Sequence, residues 1–147
     1  TVNIPRLEAD DVIYLIHKKI LNVSKKIIII TNDNDYLQLI CEKTEIINMQ
    51  FKDIKLRSKC NSAKSNLYYK SLIGDKSDNI AKISNIINKE LALKLSTYSI
   101  DSLTKWLNEH NLYENFMFNL KLISFAYIPN EYINIFDDNY KFNIDDK

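Results

Sequence analysis

Four consecutive isoleucines, Ile27–Ile30, run directly into Thr31-Asn32-Asp33-Asn34-Asp35. The β-branched stretch from Lys25 to Thr31 shows no polar alternation. It is predicted to be a strand buried on both faces, which implies a mainly parallel sheet with helices on each side. Ligands of such sheets bind in the loops at the carboxyl ends of strands. Asn32 or Asp33 capping a following helix explains one acid of that loop, but not both.

The flanking periodicities agree with an α/β chain. From Leu7 to about Asn22, the apolar residues Ala9, Val12, Ile13, Ile16 and Ile20 recur at three and four, the period of an amphipathic helix. Asp33 to Cys41 is predicted to be a second helix, with Tyr36, Leu37 and Ile40 on one face. Glu45 to Phe51 and Ile54 to Leu56 are predicted strands. From Ser62 the character becomes helical: Ser65–Ile73 ending at Gly74, Asn88–Leu95, a helix from Ser99 with Trp106 and Leu107 inward, and Tyr113–Phe125. Pro129 breaks the last, Glu131–Phe136 forms a final turn, and Asp137–Lys147 is expected to fray. The fold class is therefore α/β, part of a mainly parallel sheet flanked by helices, followed by an all-helical region.

At 147 residues, 46% of them apolar, the chain can bury one core. No apolar run approaches the roughly 20 residues that span a bilayer, and no secretory leader is recognisable. Cys41 and Cys60 make neither a disulfide framework nor a metal knuckle, so a reduced intracellular compartment is expected. The chain starts at Thr1 without methionine, and a fragment or a natural half of a split protein is expected. It holds one glycine, Gly74, against a usual ~7%; an AT-rich coding bias accounts for the scarcity.

Net charge is +1, from 20 basic and 19 acidic residues. Seven acids lie in three tight groups, which leaves cations in excess elsewhere. Glu8, Asp10 and Asp11 open the first helix, where acids favour the dipole, yet three carboxylates in four residues repel one another unless a cation sits among them. Asp33 and Asp35 follow the isoleucine strand. Asp75 and Asp78 follow Gly74, where a glycine C-cap and a new N-cap are the structural alternative. Carboxylates without nearby histidine or cysteine suit hard cations such as Mg²⁺ or Mn²⁺. Three such groups suggest a cluster holding two ions, and a pair about 3.5–4 Å apart can clamp the attacking and leaving oxygens of a phosphodiester.

Glu8-Ala9-Asp10-Asp11, then Thr31-Asn32-Asp33-Asn34-Asp35 followed by Tyr36-Leu37-Gln38-Leu39, then Gly74-Asp75-Lys76-Ser77-Asp78-Asn79, resemble in order and spacing the motifs of the 5′-nuclease (flap endonuclease) family. Asn119-Leu120-Lys121-Leu122-Ile123 with Tyr127-Ile128-Pro129 resembles its phage-type ribonuclease H branch. The resemblance covers about Asn3 to Phe142. It implies a two-metal 5′→3′ exonuclease and flap endonuclease of replication or repair, using two Mg²⁺ or Mn²⁺ ions on branched, nicked or 5′-ended duplex DNA or RNA–DNA. Its catalytic residues would be Glu8, Asp10, Asp11, Asp33, Asp35, Asp75 and Asp78. Of these, Glu8 and Asp10 would bind the first metal and Asp33, Asp35 and Asp78 mainly the second, with Asp11 and Asp75 beside them.

The resemblance further implies that residues 1–61 are the C-terminal part of the α/β nuclease (PIN-like) core. Residues 62–147 would be a helical, helix–hairpin–helix-like DNA-binding region and tail. The family also carries an N-terminal segment with further aspartates and a basic arch, so the chain resembles a C-terminal half and an N-terminal nuclease half is its implied partner. The family's hairpin glycines are missing from Ala81–Lys89. Lys76, Lys82, Lys89 and Lys94 are candidate phosphate contacts, with a solvated lysine face as the alternative. Tyr68, Tyr69, Phe116 and Phe118 are expected in the core rather than as stacking platforms, and His17 and His110 are assigned no role. A cytoplasmic or nucleoid location is expected, or a host cytoplasm for a virus.

Two other readings compete. A haloacid-dehalogenase-like phosphatase also places Asp-x-Asp after a strand, but its Gly-Asp follows a strand, and it leaves Glu8, Asp10 and Asp11 unexplained. A non-catalytic nucleic-acid-binding subunit would have no reason to keep seven mutually repelling acids.

Overall fold

The computed structural model describes residues 4–140. Helix α1 spans Ala9–Ile20, strand β1 Ile27–Ile30 and strand β2 Thr44–Ile47. Helices α2 (Ala63–Ile73), α3 (Lys89–Ser96), α4 (Ile100–Glu109), α5 (Tyr113–Ile123) and α6 (Asn130–Asn139) follow. The strands pair in parallel, Ile27 opposite Thr44 and Ile30 opposite Ile47. The chain is thus α/β with a parallel sheet and a helical second part. Among the described residues no helix is long and apolar enough to cross a membrane.

The isoleucine strand is buried on one face only. Ile27 and Ile29 are covered by Tyr36, Leu37, Ile46, Ile54 and Phe125, whereas Ile28 and Ile30 are each 52% exposed. The continuous apolar run suggests two covered faces; the second face is left half-exposed.

Three more elements differ from expectation. Asn34–Leu39 is a 3-10 helix, not an α-helix. Its three-residue turn puts Leu39 rather than Ile40 in register with Tyr36, and Leu39 is the buried one. Ile54–Arg57 is also a short 3-10 helix rather than a strand, because the Asp53 side chain accepts the Lys55 N–H and turns the chain. The second strand is shorter than its apolar run, because the Asn48 side chain accepts the N–H groups of Gln50 and Lys52, both at 2.9 Å, and bends the chain out of the sheet.

The helices start where side-chain oxygens can cap them. Ser62 accepts the Ser65 N–H, Asn88 the Leu91 N–H and Ser99 the Ser102 N–H. Leu72, Ile87, Ala92, Leu95, Leu103, Leu107 and Phe116 form the centre of the core shared by α2–α5. Tyr68 and Tyr69 pack against that core. Phe118 does not join it: it is 64% exposed on the outer face of α5, since the helical period that buries Phe116 and Leu120 turns residue 118 outward.

The end of the chain returns to its beginning. Phe125 enters the cluster under the sheet, and Ile128 and Phe136 pack with Ile4, Val12 and Leu15 of the α1 region. The expected last turn is therefore a ten-residue helix, α6, which takes in Asp137–Asn139 of the supposed tail. Pro129 is its N-cap; residues 141–147 of that tail lie outside the described residues.

The one glycine has a steric reason. Gly74 ends α2 at φ +74°, and a Cβ there would lie 2.4 Å from the Ile80 carbonyl oxygen and 2.6 Å from the Ala81 carbonyl carbon. Both neighbours are backbone and cannot swing aside. Gly74→Ala is expected to destabilise the fold by about 2 kcal/mol or more, read as a drop of several degrees in melting temperature. An unchanged melting temperature would show that the turn is not fixed as described.

Candidate active site

The second and third acidic groups are set by two tight turns. Asp33 is the N-cap of the 3-10 helix, its Oδ1 accepting the Asp35 N–H at 2.9 Å. The cap thus uses Asp33 and leaves Asp35 facing inward. After Gly74 the chain doubles back: the Asp75 N–H donates to the Ile80 carbonyl at 2.9 Å and the Ile80 N–H to the Asp75 carbonyl at 2.7 Å. Asn79 takes a left-handed φ of 57° to close this loop. Asp75 Oδ1 accepts the Ser77 N–H at 2.8 Å, and the Ser77 hydroxyl as well.

Two amide side chains lock these turns to α5. Buried Asn119 donates to the carbonyls of Ser71 at 3.0 Å and Ala81 at 2.8 Å, bracketing the Gly74–Ile80 turn. Gln38 donates to the Ile123 carbonyl at 3.1 Å and accepts the Phe125 N–H at 3.2 Å, tying the 3-10 helix to the end of α5. At the start of α1, Asp11 Oδ2 accepts the Glu8 N–H at 3.2 Å and Asp10 Oδ1 accepts the Asp11 N–H at 3.1 Å.

Six of the seven sequence-derived acids meet in one cleft. Glu8, Asp10, Asp11, Asp33, Asp35 and Asp78 line a space of about 800 Å³ whose apolar wall includes Leu122 and Phe125. Asp75 is not on that lining, yet one carboxylate oxygen each from Asp35, Asp75 and Asp78 lie within 4.8 Å of one another. All are hard oxygen donors, and neither histidine comes near: His17 is buried against the Thr44 hydroxyl at 2.9 Å, and His110 stacks on Trp106. The donor set fits a hard divalent cation.

Lys70 is the residue that sequence reasoning missed. Its ammonium donates to both Asp35 and Asp75. Burial alone would lower its pKa, but these two carboxylates raise it, so the lysine stays charged. Burial would push Asp75 up, yet Lys70 and Ser77 pull it down to about 2. Asp35 goes the other way. Burial raises its pKa; Lys70 pulls it back down, but the smaller repulsions of Asp33 and Asp75 add to the burial and the net shift is upward. Asp11 is likewise raised, first by burial. The signal for Lys70 lay in its place on the last turn of a helix ending at Gly74, one turn before Asp75.

Tyr36 was also missed as a cleft residue. Burial, then the charges of Asp10, Asp33, Asp35 and Asp11, push its pKa up to about 12, so it presents a protonated hydroxyl.

The candidate DNA-contacting lysines are all exposed. Lys76 and Lys89 line a second cavity of about 390 Å³ together with Asp35, Lys70 and Asp75. Lys82 and Lys94 line neither cavity.

Residues 1–67 match the family model of the 5′-3′ exonuclease N-terminal, resolvase-like domain. The chain is 29% identical over 121 residues to the 5′-3′ exonuclease of Buchnera aphidicola subsp. Schizaphis graminum, covering 78% of this chain and 39% of that protein. It is 30% identical over 145 residues to the ribonuclease H of Enterobacteria phage T4, covering 87% of this chain and 46% of that one. The chain thus spans less than half the length of these curated relatives. Among solved structures, the T5 D15 protein co-crystallised with metal ions superposes with a TM-score of 0.72 at 18% identity, over 95% of this chain and 62% of that one. The bacteriophage T5 D15 flap endonuclease, in a pseudo-enzyme–product complex with DNA and metal ions, gives 0.73 at 17% identity over 95% and 60%. These structural likenesses concern the fold. With three acidic segments brought together on that fold, these likenesses support the 5′-nuclease family for this chain.

Proposed function

We propose that this chain is the C-terminal part of a metal-dependent 5′→3′ nuclease that hydrolyses phosphodiester bonds in branched, nicked or 5′-ended DNA or RNA–DNA. The observation that carries the reading is the meeting of acids from α1, from the loop after β1 and from the loop after α2 on one cleft. Acids used only as helix caps would not need to converge.

Asp35, Asp75 and Asp78 are the proposed core of the metal site, with Glu8, Asp10 and Asp33 on the cleft wall for a second ion. Bound Mg²⁺ or Mn²⁺ would supply Lewis-acid charge toward a phosphoryl oxygen. The chain's own groups do the rest. Lys70 holds Asp35 and Asp75 in place and adds a fixed positive charge at the cluster. Asn119 and Gln38 keep the two acidic turns in register through α5. Tyr36 presents a hydroxyl donor to the cleft. Lys76, Lys82, Lys89 and Lys94 are the proposed contacts to the phosphate backbone, which such lysines bind without regard to sequence.

The division of labour is also proposed. The outward face of β1, with Ile28 and Ile30 half-exposed, suits a further layer of nuclease core supplied by an N-terminal half. A haloacid-dehalogenase-like reading has no support in the fold, since the Gly74-Asp75 pair follows helix α2 rather than a strand.

Two outcomes are expected. Melting temperature should rise with millimolar Mn²⁺ or Mg²⁺, because an ion that binds only the folded form adds about 2.7 kcal/mol at a hundred times its dissociation constant. Asp35→Asn should weaken that rise, and a parent protein that responds to neither ion would contradict the metal site. In a cleavage assay on a 5′-flapped or nicked duplex, residues 1–147 alone should cleave poorly, because small misplacements at a reacting centre cost about a hundredfold. Adding the N-terminal half should restore Mg²⁺-dependent cleavage, which Asp10→Ala or Asp78→Ala should abolish while DNA binding survives. Robust cleavage by the 147 residues alone would overturn the division of labour.

A further inference from the structure

The two cavities on either side of Asp35 have opposite electrical character. The acidic cleft has Arg6 among its six carboxylates. The neighbouring cavity, of about 390 Å³, carries four lysines against two carboxylates. Lys70 is spent on Asp35 and Asp75. Lys59, Lys76 and Lys89 remain exposed at the lining, and among the described residues none of them forms an ion pair.

The rest of the lining is not what a site for a bare anion would need. Leu37, Leu67 and Ile73 give it an apolar floor. Tyr69 adds a ring whose hydroxyl stays protonated, since burial and then the Cys60 thiol beside it raise its pKa. The volume falls within the ~300–1,000 Å³ of small-molecule sites. A ligand that suits both parts has a flat, weakly polar body and a compact anionic end. A nucleoside 5′-monophosphate has that chemistry, and it is also what 5′→3′ hydrolysis of a nucleic acid strand releases.

We propose that the basic cavity behind Asp35 and Lys70 binds a nucleoside 5′-monophosphate, with the base against Leu67 and Tyr69 and the phosphate among Lys59, Lys76 and Lys89. This rests on the nuclease reading for the source of the ligand, though not for the binding itself. The shared wall has a consequence. An occupant of the basic cavity lies against Asp35 and Asp75, the same carboxylates that face the metal cluster, so released product and divalent ion act on one pair of side chains.

The test is calorimetric titration of the 147-residue chain in EDTA with deoxyadenosine 5′-monophosphate, deoxyadenosine, inorganic phosphate and a short duplex. EDTA removes any binding through a metal in the acidic cleft. The monophosphate should bind at least about tenfold more tightly than the nucleoside or phosphate alone, and Lys59→Glu should weaken it about tenfold. Leu67→Trp, which fills the floor, should abolish it; circular dichroism confirms that the variant folds, and Lys59→Glu stands as the surface substitution if it does not. Equal affinity for phosphate and the monophosphate, or no loss in Lys59→Glu, would overturn the proposal. So would a duplex that displaces the monophosphate with the same Lys59 dependence, which would assign the cavity to a DNA strand. Metal-dependent cleavage with no monophosphate binding sinks this proposal and spares the nuclease reading. Monophosphate binding with no cleavage, after the N-terminal half is added, sinks the nuclease reading and leaves the cavity's ligand standing.

Discussion

The Lys70 ammonium between Asp35 and Asp75 is the contact on which this arrangement depends. Carboxylates from separate segments brought within a few ångströms repel one another unless a cation compensates them or one holds a proton. Helix α2 supplies that cation from its own last turn, one turn before the chain delivers Asp75. The response of the two acids differs because their surroundings differ. Asp75 also has the Ser77 N–H and hydroxyl and is pulled down to about 2, whereas burial and the charges of Asp33 and Asp75 keep Asp35 above its ordinary range. One lysine therefore stabilises the cluster without satisfying it, and the remaining demand for positive charge lies on the side of the acidic cleft.

The scaffold brings two short turns and the start of α1 to one cleft. Gly74 permits the chain to leave α2 with its backbone against Ile80 and Ala81, where no Cβ fits. Asn119 reaches from α5 to both sides of that turn, and Gln38 ties the Asp33–Asp35 turn to the C-terminal end of the same helix. Helix α5 is thus the common brace of two acidic groups. Its own position is fixed by Phe116 in the helical core and by Phe125, which the following residues insert under the sheet. Packing in two separate clusters becomes positional precision at the carboxylates.

Much of this was legible in the sequence, for identifiable reasons. Acid groups that exceed what caps require pointed to the cleft, and Asp33 did turn out to be the cap that leaves Asp35 over. The helices of the second part announced themselves through Ser62, Asn88 and Ser99 at their starts. The strand burial misled because four isoleucines look alike whether both faces are covered or one; only the fold shows that Ile28 and Ile30 face outward. Short-range side-chain bonds misled too: Asp53 and Asn48 turn the chain where apolar runs promised strand. The aromatic run places Phe118 with Phe116 in the core, and only the phase of α5 separates the two. Lys70 was invisible because a lysine on a helix reads as solvated until its partners, 35 residues earlier and five later, are seen beside it.

The central claim is that the cluster around Asp35, Asp75 and Asp78 is a divalent-cation site. Anomalous diffraction at the manganese edge, from crystals of the 147-residue chain grown with Mn²⁺, tests it most directly. The account predicts a strong peak about 2 Å from carboxylate oxygens of Asp35 and Asp78, with the Lys70 ammonium moved away from Asp35. Crystals in which manganese binds only elsewhere on the surface, with Lys70 still joined to both aspartates, would contradict it.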